Sequence, residues 1–258
     1  MDSWAVAAAI GFVAGYLSGQ FGIGGGIVTT PAIRLILGRP ELVAVGTPLP
    51  VIIPTAIAGA VSYWRRGLID LRTGLSAGLV GSVFAVLGAR ATVLVGGSTV
   101  LVVTAGLICW MAVDMTILAL RGERPQHELD RCEERRQSIW WLGVLGAVTG
   151  LYSGFLGLGG GFVVVPALVR YFGFDAKRAV GTSLVVVSIL AVPGTITHYL
   201  LGNIEVGLAL ALMVGVVPGA LLGAHVTAVA QEKTVRVGFA AMLLVVGVVL
   251  AASEFGWL

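Results

Sequence analysis

Gly15-Tyr-Leu-Ser-Gly-Gln-Phe-Gly-Ile-Gly-Gly-Gly-Ile-Val-Thr-Thr-Pro-Ala32 and Gly150-Leu-Tyr-Ser-Gly-Phe-Leu-Gly-Leu-Gly-Gly-Gly-Phe-Val-Val-Val-Pro-Ala167 are two versions of one segment. They lie 135 residues apart, and the register holds without a gap for about fifty residues. Three consecutive glycines among apolar residues interrupt a helix, because glycine loses more backbone entropy there than any other residue. The proline that follows suits a first helical turn, where its missing N–H costs least. Each copy reads as a helix, an unwound glycine elbow and the start of a second helix.

The medium around these elbows follows from composition. Of 258 residues, 57% are hydrophobic and 11% charged, and the mean hydropathy is +1.00. A soluble domain carries about 25% charged residues, so this chain is an integral membrane protein. The net charge of +3 reflects loop Arg and Lys, and no basic face with interleaved aromatics points to nucleic acid. Cys109 and Cys132 lack a CxxC or Cys/His context. Catalytic triads, zinc motifs and a central Asp/Glu pair are missing from the sequence. No enzyme, no metal and no cofactor is expected. Met1-Asp2-Ser3-Trp4 has no basic n-region and reads as the start of the first helix.

Outward from the elbows, the pattern predicts an all-α polytopic protein. Segment 1 covers residues 4–21, the elbow 22–26, and a half helix 28–37 closed by Gly38. At 1.5 Å per residue that half helix reaches about 15 Å, half a bilayer core. Segments 2, 3 and 4 cover residues 45–64, 71–95 and 99–120. Residues 121–138 form the one hydrophilic stretch, a charged linker between an N-terminal membrane repeat (1–120) and a C-terminal one (139–258). The second repeat breaks at 157–161, continues as a half helix to Phe172, and ends in segments 180–201, 206–226 and 234–252. The copies also share Ala44-Val-Gly-Thr47 with Ala179-Val-Gly-Thr182, Gly59 with Gly194, Gly67-x-Ile69 with Gly202-x-Ile204, and Gly88-Ala89 with Gly223-Ala224. Helix-breaking positions repeated in this way mark an internal duplication.

Loop charge orients the halves. If each elbow segment crosses the membrane, the 16 Lys and Arg divide eight to eight. If each is a re-entrant hairpin, the division is 13 to 3, the bias expected of cytoplasmic loops. The expectation is two inverted repeats, each a Gly-broken re-entrant hairpin plus three transmembrane helices. The linker is then cytoplasmic and both termini lie outside.

Unwound backbone at membrane depth is tolerated only where protein buries it or a wet cavity receives it. Broken helices in inverted repeats build the midplane sites of many secondary transporters, and a half-helix N-terminus suits an anion. Gly24, Gly25, Gly26, Gly159, Gly160 and Gly161 are therefore the candidate substrate-binding backbone. Thr47, Thr182 and Ser183 are candidate hydroxyl ligands, with helix capping as the alternative. Thr29 and Thr30 have Val164 and Val165 as counterparts, so any role of theirs belongs to one half. Scattered glycines such as Gly74, Gly78 and Gly81 read as packing sites. Asp114, Arg90, His198 and His225 are expected near span ends, the histidines snorkelling or hydrogen-bonded.

The paired Ser-Gly-x-x-Gly-x-Gly-Gly-Gly…Val-x-x-Pro-Ala elements (Ser18–Ala32 and Ser153–Ala167), with their Ala-Val-Gly-Thr partners, resemble the TauE/SafE family of sulfite and organosulfonate exporters. The resemblance covers essentially the whole chain. It implies a multi-pass permease of a bacterial-type inner membrane that exports a small sulfur-containing anion such as sulfite or sulfoacetate, with protons as a coupling ion. An anion channel of the same fold, an importer of another small organic anion and a membrane scaffold are the rival readings. Pro48 departs from the Gly-Thr-Ser pattern that the second half keeps at Ser183.

Overall fold

A computed structural model describes residues 2–95, 97–120, 132–136, 138–157 and 159–254. Most of the linker, 121–131 and 137, lies outside them. The described chain is all-helical: α1 Asp2–Phe21, α2 Gly26–Leu35, α3 Glu41–Gly46, α4 Pro48–Trp64, α5 Leu71–Val95, α6 Gly97–Leu120, α7 Ile139–Leu156, α8 Gly161–Tyr171, α9 Ala176–Leu200, α10 Val206–Val229 and α11 Glu232–Glu254. Among the described residues, six apolar stretches are long enough to cross a membrane: α1, α3 with α4, most of α5, α7, α9 and α10. Large apolar side chains on their outer faces, including Leu79, Val83, Leu210 and Val214, are exposed. That face suits lipid rather than water. Trp64, Trp140 and Tyr199 stand exposed at helix ends, where a membrane interface favours amphipathic rings.

Each elbow turns its chain back. The start of α1, the end of α2 and the start of α10 meet at one end, where Ala7, Ile33 and Leu208 share a buried cluster. Arg39, just past α2, pairs with Glu205 at 2.8 Å. In the second half, residues 132–136 lead into α7, and α8 returns to them. The Cys132 thiol faces the Arg170 carbonyl at 3.9 Å, and the Arg135 guanidinium lies over the Tyr171 ring. The arms are unequal: α1 and α7 have 20 and 18 residues, α2 and α8 have 10 and 11.

Glycine decides how the long arms pack. Gly11, Gly15 and Gly19 of α1 lie on the backbone of Leu212, Val216 and Ala220 of α10, while Gly215, Gly219 and Gly223 lie on Ala8, Phe12 and Tyr16. A methyl at most of these positions would overlap a carbonyl oxygen. Both numberings rise together, so α1 and α10 run parallel. The same contacts recur 135 residues on. Gly146, Gly150 and Gly154 of α7 lie on Ala77, Gly81 and Ala85 of α5, and Gly88 on Leu151. Four-residue spacing of small residues lets helix backbones approach closely, which drives association in lipid. Gly74 and Gly78 pack on Val185 and Ile189 of α9, the packing role read for them.

The innermost pair, α4 and α9, cross in opposite directions. Gly59 meets Leu184, and Gly194 meets Leu49. One difference from expectation sits here. The span read as starting at residue 45 is two helices, α3 and α4, interrupted at Thr47, whereas α9 is continuous. Pro48 and Pro50 remove two successive i→i−4 donors; the second half has Ser183 and Val185 at these places.

Candidate functional site

The elbows are built from left-handed glycine. Gly22, Gly24 and Gly25 have φ of 73°, 77° and 87°; Gly157, Gly159 and Gly160 have 66°, 78° and 71°. A side-chain-bearing residue pays about 1–2 kcal/mol for that backbone region. Gly26 and Gly161, assigned to the elbows from sequence, are already the first residues of α2 and α8. The caps Gly25 and Gly160 offer no side chain. Val28 and Thr29 donate their N–H groups to the Gly25 carbonyl at 3.1 and 3.0 Å, and Val163 and Val164 donate theirs to Gly160 at 3.0 and 3.1 Å. The amides ahead of them, on Gly26 and Ile27 and on Gly161 and Phe162, precede any intrahelical acceptor.

The two elbows touch. Gly161 is pressed against the Gly22 carbonyl and Ile23, where an added Cβ would lie 2.7 Å from the Ile23 Cα. Gly24 and Gly159 share one floor. A Cβ on Gly24 would meet Val187 at 2.6 Å and Ile52 at 3.0 Å, and one on Gly159 would meet Ile52 at 2.9 Å and Val187 at 3.2 Å. Ile52 and Val187 are themselves 135 residues apart, one on α4 and one on α9. The meeting point is apolar below and carries backbone amide dipoles above.

The candidate hydroxyls separate into two groups. Ser183 joins the elbows, its Oγ donating to the Gly22 carbonyl at 2.7 Å. Thr47 and Thr182 do not. The Thr47 Oγ1 accepts the Glu205 N–H at 3.1 Å, and the Thr182 Oγ1 accepts the Asp70 N–H at 3.0 Å. Each threonine clasps the loop that enters a neighbouring helix. Neither hydroxyl caps its own helix: Thr47 makes no side-chain cap bond, and Thr182 lies inside α9, which starts at Ala176. Thr29 donates back to the Gly25 carbonyl at 3.2 Å, and Thr30 is buried without a hydrogen-bond partner.

Two residues near the elbows had not been singled out from sequence. Ser18 and Ser153, one turn before each elbow, are fully buried and their hydroxyls have no partner. Only their presence in both quoted copies could have flagged them. His198, expected near a span end and snorkelling or hydrogen-bonded, lies two residues from the end of α9, fully buried and hydrogen-bonded. Its Nε2 donates to the Gly154 carbonyl at 3.1 Å, and the Asn203 side-chain amide donates to Nδ1 at 3.3 Å. Its counterpart Tyr63 donates its hydroxyl to the Gly19 carbonyl at 2.9 Å. His225 is partnered at the protein surface, accepting from Arg66 at 2.9 Å.

Charge collects at the ends of the bundle. Asp70 lies 3.3 Å from Arg178 and 3.9 Å from Arg136, Arg170 lies 3.4 Å from Asp114, and Arg34 pairs with Glu41 at 2.9 Å. No group of three or more His, Cys, Asp or Glu capable of holding a metal occurs among the described residues. A cavity of about 120 Å³ between α4, α9 and α10, walled by residues such as Pro50, Thr195 and Met213, involves neither elbow.

Comparison with known proteins gives one family. The sequence profile described as "Sulfite exporter TauE/SafE" matches residues 7–250. "Probable membrane transporter protein YunE" of Bacillus subtilis is 26% identical over 95% of this chain and 96% of its own length. "Probable membrane transporter protein MJ0441" of Methanocaldococcus jannaschii is 26% identical over 92% of this chain and 91% of its own. A "probable membrane transporter protein" of Xylella fastidiosa is 28% identical over 83% and 80%. No solved structure matches the chain.

Proposed function

The chain belongs to the sulfite exporter TauE/SafE family, a multi-pass membrane transporter and not an enzyme, and on that premise we propose that it exports a small sulfur-containing oxyanion bound where the two elbows meet. One observation carries this reading: two half-helix N-termini without side-chain caps converge, with Gly161 against Gly22 and with Gly24 and Gly159 on a common floor. First-turn amides and the positive ends of α2 and α8 stabilise an anion there. Dipoles without a fixed full charge hold the ion weakly enough to release it. Of the residues named from sequence, the elbow glycines would hold the substrate and Ser183 would fix their geometry. Thr47 and Thr182 would act on the neighbouring loops.

The proposed architecture is two inverted repeats in an inner membrane. It is supported by the antiparallel crossing of α4 with its counterpart α9, by the return of each hairpin to its own end, and by the 13-to-3 division of Lys and Arg. The linker then faces the cytoplasm and both termini face outward. A reporter active only in the cytoplasm, fused to either terminus, should be silent; activity at a terminus overturns the orientation. Alternating access would move tightly packed pairs, α1 with α10 against α5 with α7, because the glycine zippers bind helices across the sequence halves. Protons are the proposed coupling ion.

The direct test uses purified protein in liposomes. Sulfite or sulfoacetate inside should leave faster than from empty-membrane controls, and a gradient of one should drive the other uphill. Flux of neither anion, with no thermal stabilisation by either, refutes the substrate assignment. Flux without uphill exchange identifies a channel.

A further inference from the structure

The unpartnered serines are the part of the elbows that nothing so far explains. Six hydroxyls elsewhere on the helices turn back to a carbonyl three or four residues earlier. Thr55 donates to Val51 at 2.6 Å, Thr149 to Leu145 at 2.7 Å, Thr116 to Ala112 at 2.7 Å, Thr197 to Pro193 at 2.9 Å, Ser82 to Leu79 at 2.7 Å and Ser188 to Val185 at 2.8 Å. Ser18 and Ser153 make no such bond, and both are fully buried. A buried polar group left without a partner costs about 1–3 kcal/mol, and a group that persists in that state calls for an explanation such as a ligand.

Their positions supply one. Ser18 lies on α1 beneath Gly25, with its Cβ 3.7 Å from where a Cβ on that glycine would stand; Ser153 lies on α7 beneath Gly160, at 3.1 Å. These two glycines are the uncapped starts of α2 and α8. A serine hydroxyl is the ordinary partner of a helix N-terminus, yet neither serine bonds the amides beside it. The arrangement occurs twice at the 135-residue spacing, and the elbows it serves are in contact. The other two unpartnered buried hydroxyls among the described residues, Thr30 and Thr195, have Val165 and Ala60 as counterparts and do not repeat.

We infer that Ser18 and Ser153 are ligand-binding residues, each donating its hydroxyl to a separate oxygen of one bound anion. The inference rests on the elbow site proposed above and narrows its substrate class. Two donors approaching from opposite halves match an anion with at least two equivalent oxygens on one centre, such as a sulfite or sulfonate head, whereas a single halide would need both donors to converge on one point. Because a hydroxyl also accepts, a protonated oxygen on the ligand is tolerated at either serine.

The test uses the full chain in lipid nanodiscs with sulfite, sulfoacetate and chloride as probes, comparing wild type with Ser18→Ala, Ser153→Ala and the double variant. Without ligand, the alanine variants should unfold at the wild-type temperature or higher, since each loses a buried unpartnered hydroxyl. With sulfite or sulfoacetate, each single variant should bind about ten-fold or more weakly, the double variant more weakly again, and chloride should shift none of them. Ser18→Cys and Ser153→Cys, which keep the shape with a poorer donor, should fall between wild type and alanine. Wild-type stabilisation by an oxyanion that survives unchanged in the alanine variants overturns the serine assignment alone. So does a drop of several degrees in the ligand-free melting temperature with ligand binding intact, which marks a structural role. Failure of both oxyanions on wild type removes the elbow site and the serine assignment together.

Discussion

Among the described residues, the first elbow carries a side-chain tie at a position where the second shows none. Ser183 holds the Gly22 carbonyl of the first. The position that would hold Gly157 is Pro48, which has neither hydroxyl nor N–H. The second fastening also differs in kind: a tyrosine hydroxyl holds Gly19, whereas an imidazole, itself held by Asn203, holds Gly154. Beneath these differences the scaffold is the same, with glycine zippers, left-handed caps, unpartnered serines and loop-clasping threonines at matched positions. The two copies agree in the parts that set backbone geometry and differ in their polar fastenings.

The strongest test of that comparison strikes the shared scaffold. Gly15→Leu and Gly150→Leu each drive a side chain into a neighbouring backbone carbonyl, so both should cost about 3 kcal/mol or more and abolish monodisperse protein in detergent. If only one does so, the zippers are not equivalent. Next comes the divergent fastening. Ser183→Ala leaves the buried Gly22 carbonyl with one donor fewer and should cost about 1–3 kcal/mol, seen as a lower melting temperature and faster hydrogen exchange at residues 22–26. Pro48→Ser should do the reverse at residues 157–161; no change there would mean that the proline is not what leaves the second elbow untied. Tyr63→Phe should cost about 1 kcal/mol through loss of one neutral hydrogen bond, and Tyr63→His should recover part of it if the two fastenings are interchangeable. The smallest effect belongs to the loop acids. Glu205→Ala breaks a pair whose side chains are 38% and 47% exposed and should change stability by less than about 1 kcal/mol. Asp70→Ala removes a carboxylate only 14% exposed with two arginines beside it and should be the more damaging of the twins in thermal unfolding.

Much of this was legible in the sequence, for definite reasons. Charge scarcity identifies the solvent, triple glycine identifies the breaks, and a 135-residue register identifies the second copy. Loop arginines alone suggest the re-entrant hairpins that are part of the proposed architecture. Packing partners were not legible. Gly11, Gly15 and Gly19 announce a close-packed face, yet no local pattern says that it meets α10 rather than a neighbour in sequence. The interruption at Thr47 was not read because segment 2 begins at residue 45 in the sequence pattern, which leaves most of α3 outside it. Thr47 and Thr182 were read as caps or ligands, since a hydroxyl at a helix start usually serves one or the other. Their donors are backbone amides 158 and 112 residues away, beyond any local signal. Burial of His198 was hidden for a related reason: the glycine at 154 that receives it belongs to another helix.

The zippers also set a timetable. The glycine face of α1 finds its partner only when α10, which ends at Val229, has left the ribosome. At a synthesis rate of about 5–20 residues per second, α1 waits roughly 10–40 s in the bilayer with that face uncovered. The α5–α7 pair, by contrast, is complete once Leu156 has emerged. One zipper is therefore closed before the oldest helix is seated. A chain stalled before residue 206 should hold α5 against α7 while α1 still exchanges with whatever small-residue surface the membrane offers.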